Sequence, residues 1–443
     1  MKKQIMISQC MIVKNEEDNI EQALSWGKDI VSEQIVVDTG STDRTVELAQ
    51  QLGAKVYHFS WIDDFSAAKN FAISKAECEW IALLDADEYF SKEDAGKLKL
   101  ILSQLEDKPY DGLATKWIHL EDDKTIKMID AQVRIFRNRP GLRYHRRIHE
   151  YLAWEDGTGI SYWQDTEGLS LFHTGYGAAA EKKKQGEGRN LRLIQAELKD
   201  HPDDFDMLTY LGNEYIALGE FALAEELYEK TLADLPQWVY GVYHVAGSEI
   251  PLRLMSLLAD QPDVPESKME EIYQKAISGW PEEGDYDYFL GLYYSRHGNY
   301  QKAEIHIRHG LEIMERYGNF QKSMVISGKI LEVYELLAAC CLNNGNPMET
   351  VRVTTLVLRD NHYLMGSLIL FIMAFRDEME KNIGGREGAI QVASLLEKSF
   401  YDFSSLKDRM FVLRAAQKSQ YRALIQVIRE LFSAEELAVI DGI

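Results

Sequence analysis

A chain of 443 residues has room for two or three domains with their own cores, and 46% hydrophobic with 27% charged residues is the make-up of an ordinary folded protein, not a disordered one. A net charge of −22 argues against broad binding to nucleic acid or an anionic membrane and leaves room only for a local basic patch. No apolar run is long enough to span a bilayer. Met1-Lys2-Lys3 leads into a short mixed run broken by Lys14 and Glu16, not a signal-peptide core, so a soluble cytoplasmic protein is the expectation. Cys10, Cys78, Cys340 and Cys341 lack metal-ligand spacing and read as reduced core residues.

Residues 4–13 predict a buried strand, ended by Lys14-Asn15-Glu16-Glu17-Asp18. Ile20, Ala23 and Leu24 give residues 19–26 helical spacing, with acids at the start that complement the helix dipole. A second strand over 34–38 finishes on Asp38; turn chemistry in Thr39-Gly40-Ser41-Thr42-Asp43 leads to a helix over 44–52. Residues 55–59 predict a third strand and 65–76 a third helix. The fourth strand starts near Glu79. Its run Ile81-Ala82-Leu83-Leu84 reads as buried on both faces and meets Asp85, Asp87 and Glu88 without a turn.

This alternation is the signature of parallel βαβ units, whose ligands bind beyond the carboxyl ends of the strands. Two strands end there in acids, Asp38 and the Asp85/Asp87 pair, so both sets line one rim. Asp85 and Asp87 can converge on one hard divalent cation; the plainer reading is a pair of acids that begins a solvated loop. Neither G-x-G-x-x-G nor a Walker-type loop follows the first strand, which sets aside a dinucleotide dehydrogenase or a P-loop enzyme. A nucleotide held by carboxylates and a metal survives.

The order Val13-Lys14-Asn15-Glu16, Val37-Asp38-Thr39-Gly40-Ser41-Thr42-Asp43 and Leu84-Asp85-Ala86-Asp87 resembles the family 2 glycosyltransferases, whose nucleotide-sugar domain is of the GT-A type. Trp61-Ile62-Asp63-Asp64-Phe65-Ser66-Ala67-Ala68-Lys69-Asn70 is similar to a subgroup shared by lipopolysaccharide-core transferases and sublancin-type peptide S-glycosyltransferases, which carry Arg where Lys69 stands. The resemblance implies that Glu16 and Asp38 bind the nucleoside, Asp38 through the uracil imide. It implies donor contacts by Lys69 and Asn70, ribose or metal contact by Asp85, and Asp87 as the main metal ligand bridging to the diphosphate. A divalent ion, Mn²⁺ or Mg²⁺, would stabilise the nucleoside diphosphate that leaves. Asp63, Asp64 and Lys69 also fit N-capping acids and a solvated lysine on the third helix.

Val133 and Ile135 mark a short strand over 133–137, and Arg134, Arg137, Arg139, Arg143, Arg146 and Arg147 crowd this stretch. They suit a diphosphate or an anionic acceptor, or else an ion-paired edge facing the acidic remainder. His145 and His149 would share a helix face as a zinc site, but Pro140-Gly141 before them makes a strand-to-loop reading as good. The subgroup carries a His-Glu pair here, which implies Glu150 as the base that takes the acceptor's proton, with His149 positioning substrate or itself the base. A strand over 169–173 ends on His173, close to Gly175, and resembles the late metal-binding histidine of GT-A enzymes. The alternative is a capping histidine at a domain edge.

A polar connector over 181–188 separates this half from a helical one. Tyr210-Leu211-Gly212 leading to Gly219, Ala224, Tyr228 and Pro236 falls on the tetratricopeptide pattern, as does Phe289-Leu290-Gly291 leading to Gly298, Ala303 and Ile307. Residues 269–276 echo 224–231, and a weaker copy passes through Tyr334, Leu337, Ala338 and Gly345. Tyr210, Tyr215, Tyr228, Tyr293 and Tyr294 read as repeat packing. Such an array binds an extended partner, or buttresses or dimerises the catalytic domain.

The expectation is an α/β GT-A (Rossmann-like) domain over 1–178 and an all-α tetratricopeptide-like domain over 179–443. Its expected activity is inverting, metal-dependent transfer of a hexose from a UDP-sugar, UDP-glucose or a close relative, to a Cys thiol or Ser hydroxyl of a peptide or protein. A lipid-linked glycan is the rival acceptor, and a repeat scaffold with a degenerate transferase domain the rival of another class.

Overall fold

Strand β1 (Ile7–Val13) is buried along nearly its whole length because a parallel neighbour covers each edge. Its Val13 pairs with Asp38 of β2 (Glu33–Asp38), and its Cys10 with Leu83 of β4 (Trp80–Leu83). Strand β3 (Lys55–His58) continues the parallel set beyond β2. Helices α1 (Ile20–Ser25), α2 (Thr45–Gln51) and α3 (Phe65–Ile73) make the three crossovers, as the alternating pattern predicts. The computed structural model describes residues 4–174, 188–242, 245–319 and 322–442.

Past β4 the sheet becomes mixed. Strand β7 (Ile126–Arg137) runs antiparallel to β4 and to β6 (Gly112–Leu120), and β10 (Tyr162–His173) is parallel to β6. Strand β5 (Glu88–Phe90) pairs antiparallel with the end of β10, closing the order β3-β2-β1-β4-β7-β6-β10-β5. The stretch expected as a short strand over 133–137 is thus the end of a twelve-residue one. A hairpin of β8 (Leu142–His145) and β9 (Tyr151–Trp154) stands apart from the main sheet, and the strand-to-loop reading of residues 144–150 holds.

The side-chain period of two decides which core each β4 residue enters. Trp80, Ala82 and Leu84 pack with Leu98 and Leu102 of α4 (Lys92–Leu105), whereas Ile81 and Leu83 pack with Ala72 of α3 and Tyr144 of β8. A strand that feeds two cores has no solvent face, which is why 81–84 reads as an unbroken apolar run.

Every element described after β10 is helical, beginning with α5 (Arg189–Asp200) and α6 (Phe205–Ala217). By its contacts the chain divides into Met1–Ala224 and Glu225–Ile443. The sequence boundary at 178/179, residues Gly175 and Tyr176, and the connector over 181–188 except its last residue, Gly188, lie outside the described residues. The helix-turn-helix pattern is present where the repeats predict it. Gly219, Gly298 and Gly345 take positive φ at the turns, and a Cβ on Gly291 would lie 2.7 Å from Ile307 of the following helix. The four cysteines are buried and free, and Tyr228, Tyr293 and Tyr294 are buried in packing. Among the described residues no helix is long and apolar enough to cross a membrane.

Candidate active site

The loops after β1 and β2 are tied to each other before any ligand arrives. Asn15, with φ of 57°, donates from its backbone to Ser41 Oγ at 2.9 Å, and its Oδ1 accepts from the Thr42 amide at 2.7 Å. The Glu16 amide donates to Thr45 Oγ1, and the Glu16 carboxylate accepts from Asn19. Asp38 accepts from the Ser41 and Gly40 amides and lies 3.3 Å from His58 Nδ1. Burial opposes its charge, but the hydrogen bonds from Ser41, then His58 and Gly40, hold its carboxyl below the ordinary range. Glu16 and Asp38 therefore sit on adjacent loops at the carboxyl end of the parallel strands.

Beside them is a cluster of acids held by two buried cations. The Lys69 side chain, on the inner face of α3 and only 2% exposed, lies 3.3 Å from Asp85 Oδ1 and 2.5 Å from Glu150 Oε1. Arg134 donates to Asp85 Oδ2 at 2.9 Å and to Glu88 Oε1 at 2.7 Å. Burial works against charge on Lys69, Arg134, Asp85 and Glu88. Lys69 and then Arg134 nevertheless pull Asp85 well down, while Asp85 and Glu150 raise Lys69 above its ordinary value. Glu88 is fully enclosed, and burial raises its carboxyl against the pull of Arg134. Lys69 is thus an ion-paired buried lysine, not a solvated one, and it joins Asp85 to Glu150.

Asp87 points elsewhere. Its Oδ2 lies 3.3 Å from Nε2 of His173, the last residue of β10, and its backbone carbonyl accepts from the Thr174 amide at 3.0 Å. Two donor atoms bound to one octahedral Mg²⁺ at about 2.1 Å stand roughly 3 Å apart, so the pair fits as neighbouring ligands of one divalent ion. Both oxygens of Asp85 already face cations, and among the described residues no group of three or more His, Cys, Asp or Glu could hold a metal. A cation held by Asp87 and His173 alone would have two protein atoms and keep positions for phosphate oxygens and water, as Mg²⁺ sites commonly do.

Behind His173 stands a residue that the sequence reading missed. His119 of β6 is the cross-strand partner of His173, and their Nδ1 atoms are 3.0 Å apart. Burial, then His173, push His119 down to about 4. Trp117 stacks on the His173 ring, with centroids 5.1 Å apart and planes 19° apart. No local motif marks His119, because its partner is 54 residues away in the chain.

The loop carrying His149 and Glu150 is fixed from three sides. Arg146 and His149 take positive φ of 74° and 52°, strained for residues with a Cβ. The Arg147 carbonyl accepts from the Phe65 amide of α3, the Arg146 carbonyl accepts from Ser66 Oγ, and Glu197 of α5 accepts from the Arg147 amide. Arg146 pairs with Asp204 and Asp206, and Arg147 with Glu197 and Asp200. Arg137 meets Glu79 and Arg139 meets Asp111. The arginine run is accordingly an ion-paired edge. With Arg134 on Asp85 and Glu88, five of the six meet acids among the described residues, while Arg143 donates to the Arg139 and Leu142 carbonyls.

His149 lies flat on Tyr210 of α6, with centroids 3.6 Å apart and planes 7° apart, and burial pushes it down to about 4. Tyr210 is therefore not merely repeat packing. Asn70 clamps β8: its Oδ1 accepts from the Tyr144 amide and its Nδ2 donates to the Tyr144 carbonyl, each at 2.9 Å. Asp64 is the N-cap of α3, accepting from the Ala67 amide, while Asp63 pairs with Arg192. His145, read as a partner of His149 for zinc, stacks on Tyr151.

Residues 8–159 match the family model described as glycosyl transferase family 2. A TPR repeat-containing protein of Synechococcus elongatus is 35% identical over 227 residues, which are 49% of this chain and 54% of that protein. The SPbeta prophage-derived glycosyltransferase SunS of Bacillus subtilis is 28% identical over 225 residues, 50% of this chain and 52% of its own. The chain thus spans about half the length of these curated relatives. A solved structure of glucosyl-3-phosphoglycerate synthase from Mycobacterium tuberculosis with Mn²⁺ and UDP overlaps 26% of this chain and 44% of its own, at 21% identity and a TM-score of 0.23. So slight an overlap leaves donor and metal to be argued from the residues above. The chain carries an N-terminal family 2 glycosyltransferase domain followed by an all-helical region that fits repeats.

Proposed function

We propose that this protein transfers a hexose, with inversion, from a UDP-sugar such as UDP-glucose to a peptide or protein nucleophile, in a reaction that needs a divalent cation. The observation that carries the reading is the Asp87–His173 contact beside the Lys69–Asp85–Arg134 cluster, at the rim where the parallel strands end. Asp87 Oδ2 and His173 Nε2 would hold Mn²⁺ or Mg²⁺, and the cation would stabilise the charge that develops on the departing UDP.

The protein's own residues do the rest. Glu16 and Asp38 face the nucleoside. Asp85 lines the ribose and diphosphate side, fixed by Lys69 and Arg134. Glu150 takes the proton from the acceptor's thiol or hydroxyl as that atom attacks the anomeric carbon. It suits that role better than His149, whose ring is flat against Tyr210 and whose basicity burial has lowered. Lys69 holds Glu150 and Asp85 in one geometry, and Asn70 acts by holding the β8 strand in place. The peptide acceptor rests on the helical repeats and on the resemblance to sublancin-type enzymes, and the buried free cysteines suit a reducing cytoplasm.

Calorimetry of UDP with and without Mn²⁺ tests the reading. The wild-type protein should bind UDP more tightly with Mn²⁺, and Asp87→Ala should abolish that gain and cut transfer by about 10²–10³-fold, as loss of a charge-stabilising contact does. UDP affinity indifferent to Mn²⁺, or unchanged by Asp87→Ala, sinks it.

A further inference from the structure

The contact between His119 and His173 has a consequence for which of the two carries a proton and where. Two neutral imidazoles whose Nδ1 atoms lie 3.0 Å apart share one hydrogen: one Nδ1 donates it and the other accepts. A metal ion takes the lone pair of a neutral ring nitrogen, so His173 can offer Nε2 to a cation shared with Asp87 only when its own proton is on Nδ1. That proton needs an acceptor, and the Nδ1 of His119 faces it.

We propose that His119 is a positioning residue, the acceptor that fixes His173 in the tautomer and orientation whose Nε2 lone pair faces Asp87 and a divalent cation. The cation's part in this rests on the function proposed above. The arrangement is built into the sheet. His119 and His173 are opposite one another on the parallel strands β6 and β10, both are buried, and Trp117 two residues before His119 stacks on the His173 ring. Trp117 also meets His119 edge-on at 4.2 Å, so the imidazole pair is packed as well as hydrogen-bonded. Ligand histidines commonly donate their second nitrogen to such a partner, and removing the partner typically costs 10–100-fold in metal affinity.

The test uses the full chain and reads metal, not turnover. Mn²⁺ affinity in the presence of UDP, measured by the loss of the free-ion paramagnetic resonance signal, should fall about 10–100-fold in His119→Phe, which keeps a ring against Trp117 but has no acceptor. His119→Asn, whose amide oxygen can stand near the lost Nδ1, should stay within about threefold of the wild type. Equal affinity of His119→Phe and wild type overturns the inference while leaving the function standing; no Mn²⁺ binding by the wild type overturns both. A second measurement needs no variant. In the wild type with Mg²⁺ and UDP, ¹⁵N spectra of the histidines should show His173 protonated on Nδ1 and His119 on Nε2. The opposite pattern overturns the inference even if His119→Phe fails to fold.

Discussion

Two groups of acids, wholly or partly buried and one in each half of the chain, solve the same electrostatic problem in different ways. Asp85 and Glu150 are neutralised by the Lys69 ammonium, and Asp85 with Glu88 by the Arg134 guanidinium. In the helical half, Glu283, Asp285 and Asp287 are buried among backbone amides, a tyrosine and two histidines. Asp285 accepts from the Val325 and Ile326 amides, Glu283 from the Ser323 and Asp285 amides, and Asp287 from Tyr273 with His306 and His309 beside it. Lysine and arginine lower Asp85 in spite of its surroundings. Amide donors do not offset burial, which lifts Glu283 to about 7, with help from the charge of Asp285, and Asp285 to about 6. In the first cluster Asp85 keeps its charge because two cations face it. The second fixes the entry to a short helix (Met324–Gly328), after a Ser323 held at φ of 56°, and in mild acid its Glu283 and Asp285 hold their protons.

The sharpest way to break this comparison is to remove the charge that serves the site. Glu150→Gln keeps the side chain's size and removes its basicity, and transfer should fall about 10²–10⁴-fold, the usual contribution of a positioned base. Near-normal turnover in a single-turnover assay would move the proton acceptor elsewhere.

Next in size is Lys69→Met, which leaves Asp85 and Glu150 facing each other without their shared cation. Removing one member of a buried ion pair costs about 3–5 kcal/mol, and the part-exposure of Asp85 puts the expected loss near the lower end, about 3 kcal/mol by denaturant titration. Lys69→Arg should recover most of it. A stability equal to the wild type would mean that the cation does not hold the cluster.

The smallest effect belongs to the helical half and carries a pH signature. Glu283 and Asp285 keep their protons to higher pH folded than unfolded, where 4.5 and 3.8 apply. Their contribution to stability is complete below about pH 4 and is lost as pH rises through 6 to 7. Glu283→Gln keeps an acceptor for the Ser323 amide and removes the titration. It should flatten the loss of stability between pH 5 and 8 by about 1–2 kcal/mol, with UDP affinity unchanged. A profile as steep as the wild type's would place the titration on other groups.

Much of the first half was legible because its signals are local. The apolar run at 81–84 and acids at the ends of β2 and β4 announce a parallel sheet and its rim. Asp64 as a cap and the glycines of the helical turns are likewise decided within a few residues. The arginine run was visible as composition but not as structure, since Arg134, Arg146 and Arg147 find their acids 46 to 60 residues away.

By itself, then, the sequence determined the periodicities, the order of strands and helices in the parallel half, the helical repeats, and which residue types stand at strand ends. Only the tertiary structure decided which of those residues meet. It turned Asp85 to Lys69 and Arg134 but Asp87 to His173, put His119 behind His173, and laid His149 on Tyr210. The physical reason is that backbone periodicity repeats over two to four residues, whereas ion pairs, imidazole contacts and ring stacks depend on distances between strands and helices far apart in the chain.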